Sequence, residues 1–301
     1  MNKIIPYLAG RLGIANQPLL EKDILLHRLL LRLLQTTFKD DFIFKGGTCL
    51  IKCYIGYYRF SEDLDFTYRH SAAFEGLSQK EIRRRLSEKI DDVGELLARA
   101  ALELGLRFTP DKTDVAFIEF GGSNKMVTYK LWYTSTVTST QQFIKIQINF
   151  VEKLLYRAVE MKAQTLWRGV ARQEIALLFP DHPYLLETVR VPCYDLREIL
   201  VEKIRAILTR KGVKSRDFID IYLVTKTGLS INDFEQQILA KVQFALRYDK
   251  YTQNLEEFNV EEFVLGEEEK ILLRPLPDGF DRYLQTLLAY LRRLSVRINP
   301  P

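Results

Sequence analysis

Cysteine is scarce: the 301 residues hold three, Cys49, Cys53 and Cys193. An odd count with no C-x-x-C pair beside histidines argues against a disulfide framework and against a finger-type zinc site. Cys49 and Cys53 stand four apart and share a helix face with Leu50 and Ile51 nearby, the pattern of small buried side chains, with a redox role as the alternative. Histidine is as rare. His27 falls inside a helical run, His70 follows a strand and His182 sits between Asp181 and Pro183, so none is nominated as a catalyst. No apolar run approaches the roughly 20 residues needed to cross a bilayer. Gly10, Arg11 and Gly13 interrupt the N-terminal apolar residues before a secretory core can form. The expectation is a soluble, cytoplasmic protein with no membrane partner, and neither a repeat nor a low-complexity segment changes it.

Charge of neither sign dominates. Forty-four Lys and Arg against 39 Asp and Glu leave +5, which permits an anionic partner without demanding one. Basic residues cluster at Arg83 to Arg85, along Thr209 to Arg216 and at Arg292 and Arg293, each most simply a solvated face.

Periodicity divides the chain into two lobes. Pro18 to Phe38 carries apolar residues on most faces, the pattern of a well-buried helix. "FIFK", Phe42 to Lys45, is too short for a helix and reads as a strand. Ser78 to Leu104 opens with S-x-x-E and repeats Ile82, Leu86, Ile90, Val93 and Leu97 at helical spacing. "DVAFIEF", "MVTYKLWYTSTV" and "QFIKIQINF" then alternate as strands between breakers such as Gly121, Gly122 and Ser139. Strand signals fade from about Leu154, and helices are predicted over 195–211, 215–226, 231–246 and 279–296. The fold class is therefore mixed α/β (α+β), an α/β domain over 1–155 followed by a mainly helical one over 156–301.

The stretch "FKGGTCLIKCYIGYYRFSEDLDF", Phe44 to Phe66, carries the chemistry. A strand, two glycines and a helix start form an anion cradle, because glycine admits close approach and free N–H groups point outward. Gly46, Gly47 and Thr48 occupy it. Asp63 and Asp65 follow two apart in an extended run, so both side chains leave one face. Paired carboxylates invite a hard cation, and Mg²⁺ commonly binds one or two carboxylates together with substrate phosphates. A nucleoside triphosphate with Mg²⁺ satisfies both halves.

Downstream, Lys203 falls on the apolar stripe Leu196, Ile199, Leu200, Ile204, Ile207 of a predicted helix. Either its stem snorkels to the rim or its ammonium meets an anion. Asp217 and Asp220, three apart on the next helix, call for a basic partner such as Lys203, Arg210 or Arg216.

The order of hydrophobic strand, G-G-T and D-x-D resembles the signature of the DNA polymerase beta-like nucleotidyltransferase superfamily. "FKGGTCLIKCY" with "RFSEDLDF", and "REILVEKIRAILTRKGVKSRDFIDIYLV" far downstream, are similar to the two conserved blocks of the AbiEii/AbiGii-type toxin nucleotidyltransferases, to which the MenT toxins are related. The resemblance implies an active site with Asp63 and Asp65 as metal ligands and Lys203 and Asp217 as catalytic partners. It also implies that Lys45, Gly46, Gly47, Thr48, Ser61 and Lys203 bind nucleotide, with Arg59, Arg210 and Asp220 in support. The implied activity is Mg²⁺-dependent transfer from an NTP to an RNA, the 3′ end of tRNA, so blocking translation and growth, with a cognate antitoxin as partner and phage defence as setting. Alternatives are transfer of a nucleotide or phosphate to a protein hydroxyl, and a non-catalytic nucleotide- or nucleic-acid-binding module. One departure stands out: the strand "IKIQINF" offers Lys145, Gln147 and Asn149 where such enzymes often place a third carboxylate. Whether one or two metal ions serve the reaction is thereby left open.

Overall fold

The structure, a computed structural model, describes residues 1–74, 76–121, 125–212, 214–258 and 266–298. Gly122, expected as a breaker, and Val213, within a basic run, lie outside them. Helices α1 (Ile4–Leu12), α2 (Gln17–Leu34) and α3 (Phe38–Asp41) lead into strand β1 (Phe42–Lys45) and the short helix α4 (Gly46–Leu50), which continues as a π-helical turn, Ile51–Ile55. Strand β2 (Asp63–Tyr68), the long α5 (Gln79–Leu104), β3 (Ile118–Gly121), β4 (Met126–Thr134), β5 (Gln141–Asn149), β6 (Val159–Ala163), α6 (Arg172–Leu178) and β7 (Val189–Cys193) follow. Helices α7 (Leu196–Thr209), α8 (Ser215–Thr225), α9 (Glu235–Ala245), α10 (Asp249–Glu256) and α11 (Phe280–Ile298) complete the described chain.

Local chemistry sets these boundaries. The Asn16 side chain accepts from Leu19 N at the start of α2, with Pro18 in the first turn, and Ser78 accepts from Glu81 N at the start of α5. Gly105 ends α5 in the left-handed conformation that glycine adopts at low cost.

The seven strands form one mixed sheet in the order β3-β4-β5-β2-β1-β7-β6, with β2/β5 and β1/β7 parallel and the remaining neighbours antiparallel. Alternation along β5 sends Ile144, Ile146 and Ile148 into the core, where each is fully buried. Phe38, Phe42, Phe66 and Phe150 gather there in stacked and edge-to-face pairs 4.4 to 6.1 Å apart. Helices α2 and α5 pack on each other and against β5 and β4. Buried Glu21 on α2 also holds the β4–β5 turn, accepting from Ser135 Oγ at 2.5 Å, Thr136 N at 2.7 Å and Thr136 Oγ1 at 2.6 Å.

The chain divides into two compact units, 1–152 with 158–193, and 153–157 with 194–301. The sheet thus gains two strands, β6 and β7, beyond the boundary at 155 that fading strand signals suggested. The strand "VEMKA" does alternate apolar and polar residues, but it is only five residues long and buries Ala163 alone, too brief a signal to stand out in the sequence. The excursion at 153–157 has a physical cause. Fully buried Glu198 on α7 accepts from Leu155 N at 2.9 Å and Tyr156 N at 2.8 Å and pairs with buried Lys241 on α9 at 2.7 Å, so these residues belong to the second unit. No helix among the described residues is long and apolar enough to cross a membrane.

His27 is wholly buried, its Nε2 3.2 Å from Glu187 O and its ring edge-to-face with Trp167. Burial and the nearby Lys52 push it down to about 3. Its folded value lies below the unfolded one near 6.5, so the neutral form stabilises the fold above that pH and the contribution drains away as pH falls towards 3. Between pH 7.5 and 5 the wild type should lose about 2 kcal/mol through this group. His27→Gln should show a shallower decline in urea-denaturation stability over the same interval; equal slopes would contradict the assignment.

Candidate functional site

The glycine turn and the aspartate strand are in direct contact. Gly46 has φ +76°, and a Cβ there would lie 2.1 Å from Asp65 Oδ2, so both backbone and space demand glycine. A Cβ on Gly47 would meet Arg59 Nη2 at 2.7 Å and Ser61 Oγ at 3.1 Å. Arg59 is 1% exposed, donating to Phe60 O at 2.7 Å and to Tyr58 Oη at 3.0 Å, so a buried guanidinium lies against the turn. Thr48 Oγ1 donates to Asp63 O at 2.5 Å and stands 2.8 Å from Ser61 Oγ, tying α4 to the start of β2.

Register places the neighbours of the acids. Lys45 on β1 and Gln147 on β5 flank Asp65, and Lys145 lies beside Asp63. Gln147 donates to Thr128 Oγ1 at 3.3 Å. Sequence reasoning overlooked Glu152, which follows β5 in an irregular segment. Its nearly buried carboxylate accepts from Asn149 Nδ2 at 2.9 Å and lies 3.9 Å from Lys45 Nζ. Its sequence spacing from β5 offers no signal, because a loop and not the strand returns it.

In the second unit, Lys203 is nine-tenths buried, its Nζ 2.8 Å from Asp217 Oδ1 and 2.5 Å from Asp220 Oδ2. Arg210 Nη1 holds the other Asp217 oxygen at 2.7 Å. The ammonium is therefore engaged inside the unit and does not snorkel to a rim. Burial alone would raise the Asp217 carboxyl, but Lys203 and Arg210 hold it well below the usual carboxylate range. Burial, with the charge of Glu268 added, pushes Asp220 up, so Asp217 is the acid held ionised. Of the predicted residues, Lys45, Gly46, Gly47, Thr48, Arg59, Ser61, Asp63 and Asp65 gather in the first unit, and Lys203, Arg210, Asp217 and Asp220 in the second.

With both clusters located, the match of the whole chain becomes informative: residues 28–294 fit the sequence profile of the nucleotidyl transferase AbiEii toxin, type IV toxin–antitoxin system. The chain belongs to the AbiEii nucleotidyl transferase toxin family. A search of curated proteins returns no match. Among solved structures, the chain is similar to JHP933 from Helicobacter pylori, at 15% identity and a TM-score of 0.44, covering 94% of each chain. A second H. pylori crystal structure, of a candidate nucleotidyltransferase, is similar at 15% identity and a TM-score of 0.43, covering 94% of this chain and 97% of the other. As an AbiEii-family member the protein is a transferase from a toxin–antitoxin system, which gives it an NTP as substrate and an antitoxin as partner.

Two substitutions test the geometry of this AbiEii chain. Gly46→Ala forces an alanine into left-handed backbone, at about 1–2 kcal/mol, and displaces the Asp65 carboxylate. Chemical denaturation should register the loss, and a stability unchanged within a few tenths would contradict the close approach. Lys203→Ala removes the buried ammonium that helps hold Asp217 ionised, leaving that carboxylate to Arg210 alone, and should cost about 3 kcal/mol in urea titrations at pH 7, against less than 1 kcal/mol for a solvent-exposed lysine.

Proposed function

We propose that the Gly46 turn and the Asp63/Asp65 pair form the nucleotide site of an Mg²⁺-dependent nucleotidyltransferase that modifies the 3′ end of tRNA, thereby halting translation and growth until the antitoxin intervenes. The observation that carries this reading is the contact of the Asp65 carboxylate with the Gly46 backbone. It brings the groups suited to phosphate and those suited to a divalent ion to one point. Asp63 and Asp65 suit such an ion because they are hard oxygen donors projecting from the same side of β2. Bound there, the ion would neutralise the charge of the phosphate oxygens during in-line displacement.

The remaining steps fall to the chain itself. The backbone N–H groups of the turn, Thr48 and Ser61 orient the triphosphate, with Lys45 beside Asp65 and the buried Arg59 guanidinium contributing positive charge. An acceptor hydroxyl attacks the α-phosphorus and gives up its proton to solvent water, the bond to the bridging oxygen breaks, and pyrophosphate departs with the electron pair. The family resemblance gives Lys203 the task of neutralising that leaving group and makes Asp217, which holds its ammonium at 2.8 Å, a participant. Arg210 and Asp220 act through Asp217 and Lys203. Gln147, beside Asp65, can orient a hydroxyl but cannot take its proton, which favours one ion over two.

Incubation with Mg²⁺, total tRNA and each α-labelled nucleoside triphosphate tests the reading. Label should enter tRNA, and Asp65→Ala should reduce the rate at least about 100-fold while retaining the fold. Label confined to protein would replace the RNA acceptor by a protein hydroxyl. Bound nucleotide with no transfer to either would reduce the protein to a binding module.

A further inference from the structure

The sheet face that carries Asp63 and Asp65 continues across β5 and β4 with a composition the nucleotide site does not use. Moving outward by register, Asp63 lies beside Lys145, and Lys145 beside Lys130. One step further along β5 and β4, Phe143 lies opposite Trp132, and Trp132 is bridged to exposed Arg107. The two rings meet at 4.8 Å, with the Arg107 guanidinium 5.9 Å from the indole and the Lys130 ammonium 6.0 Å from the Phe143 ring. Neither ring is needed by the core. Leu131, Ile144 and Ile146, on the opposite face of the same strands, are fully buried, while Trp132 and Phe143 retain partial exposure. The indole is nonetheless fixed, its N–H donating to Ala116 O at 2.8 Å.

We propose that this face is the track for the single-stranded end of the nucleic-acid acceptor: Trp132 and Phe143 stack its bases, and Lys145, Lys130 and Arg107 contact its phosphates. The proposal rests on the transferase reading above and deepens it by naming the acceptor's path. Aromatic rings interleaved with cations on one strand face are the elements by which single strands are held without sequence preference. Charge complementarity selects this occupant. Lys145 has no ion-pair partner among the described residues, and the acid facing the row, Glu119, forms a surface pair with Lys130 at 2.9 Å that a phosphate can displace. From Gln147, beside Asp65, to Phe143 is about 13 Å along β5. Upstream nucleotides can thus rest on the rings while the terminal hydroxyl reaches the aspartates.

The test uses the full chain with a 5′-fluorescein single-stranded RNA 12-mer bearing a free 3′ hydroxyl, and with total tRNA in the transfer assay. Trp132→Ala and Phe143→Ala should each weaken RNA binding about 5- to 150-fold and raise KM for tRNA, with Mg²⁺·ATP binding unchanged and Trp132→Phe largely restoring affinity. Lys145→Ala, an exterior change, should weaken binding and lower the slope of log K against log salt by about one. Wild-type transfer to tRNA with unchanged KM and RNA affinity in all three alanine variants would overturn the track while leaving the transferase reading intact. Wild-type protein that neither binds the RNA nor labels tRNA would overturn both, as would label confined to protein.

Discussion

The contact between the Gly46 backbone and the Asp65 carboxylate is the constraint on which the site depends. It requires a residue with neither side chain nor resistance to positive φ at the end of β1, and it requires β2 to pair with β1 in the register that sets Lys45 opposite Asp65. A one-residue slip would turn the carboxylates into the aromatic core and Phe66 out of it. The packing of Phe38, Phe42, Phe66 and Phe150 therefore holds the register that sets Lys45 opposite Asp65.

Buried charge is the second organising element, arranged separately in each unit. In the first, Lys52 lies 3.0 Å from Asp23, whose carboxylate also accepts from Tyr57 Oη, and Arg59 is enclosed beneath Gly47. In the second, Lys203 joins Asp217 and Asp220 while Lys241 joins Glu198. Such clusters add little net stability relative to apolar packing but make the loss of any one member expensive, so they define a unique arrangement of the helices that bear them. The basic run at Arg83 to Arg85 behaves differently: Arg84 and Arg85 pair with Glu81 and Glu88 on the exposed side of α5, a solvated face with small energetic effect.

The sheet has two chemically distinct sides because burial alternates along β4 from Tyr129 onward and along β5 from Phe143 onward. One side buries Ile144, Ile146 and Ile148; the other carries Gln147, Lys145 and Phe143 in line with the aspartates. Glu21, clamped by Ser135 and Thr136, anchors the β4–β5 turn to α2 and keeps that polar side presented. Hence a carboxylate on a helix behind the sheet contributes to the geometry of the face in front of it.

Much of this was legible in the sequence because it is local. Strand, glycine pair and D-x-D lie within 25 residues, the helical period of α5 spans seven turns, and the shared face of Lys145, Gln147 and Asn149 could be read from alternation, although only the family resemblance made the lack of a carboxylate there notable. What required the tertiary structure was non-local. Parallel pairing of β1 with β7 brings Cys193 beside Phe44 and sets its thiol within 4.8 Å of those of Cys49 and Cys53, all three buried, although 140 residues separate it from Cys53. The late strands β6 and β7, the return of Glu152 towards Lys45 and the enclosure of Arg59 under Gly47 arise the same way. Sequence by itself determined which residue types were available and their local spacing, since propensity and periodicity act over a few residues. Only the tertiary structure decided which distant residues met, because long-range contacts depend on how the whole sheet and its helices share one core.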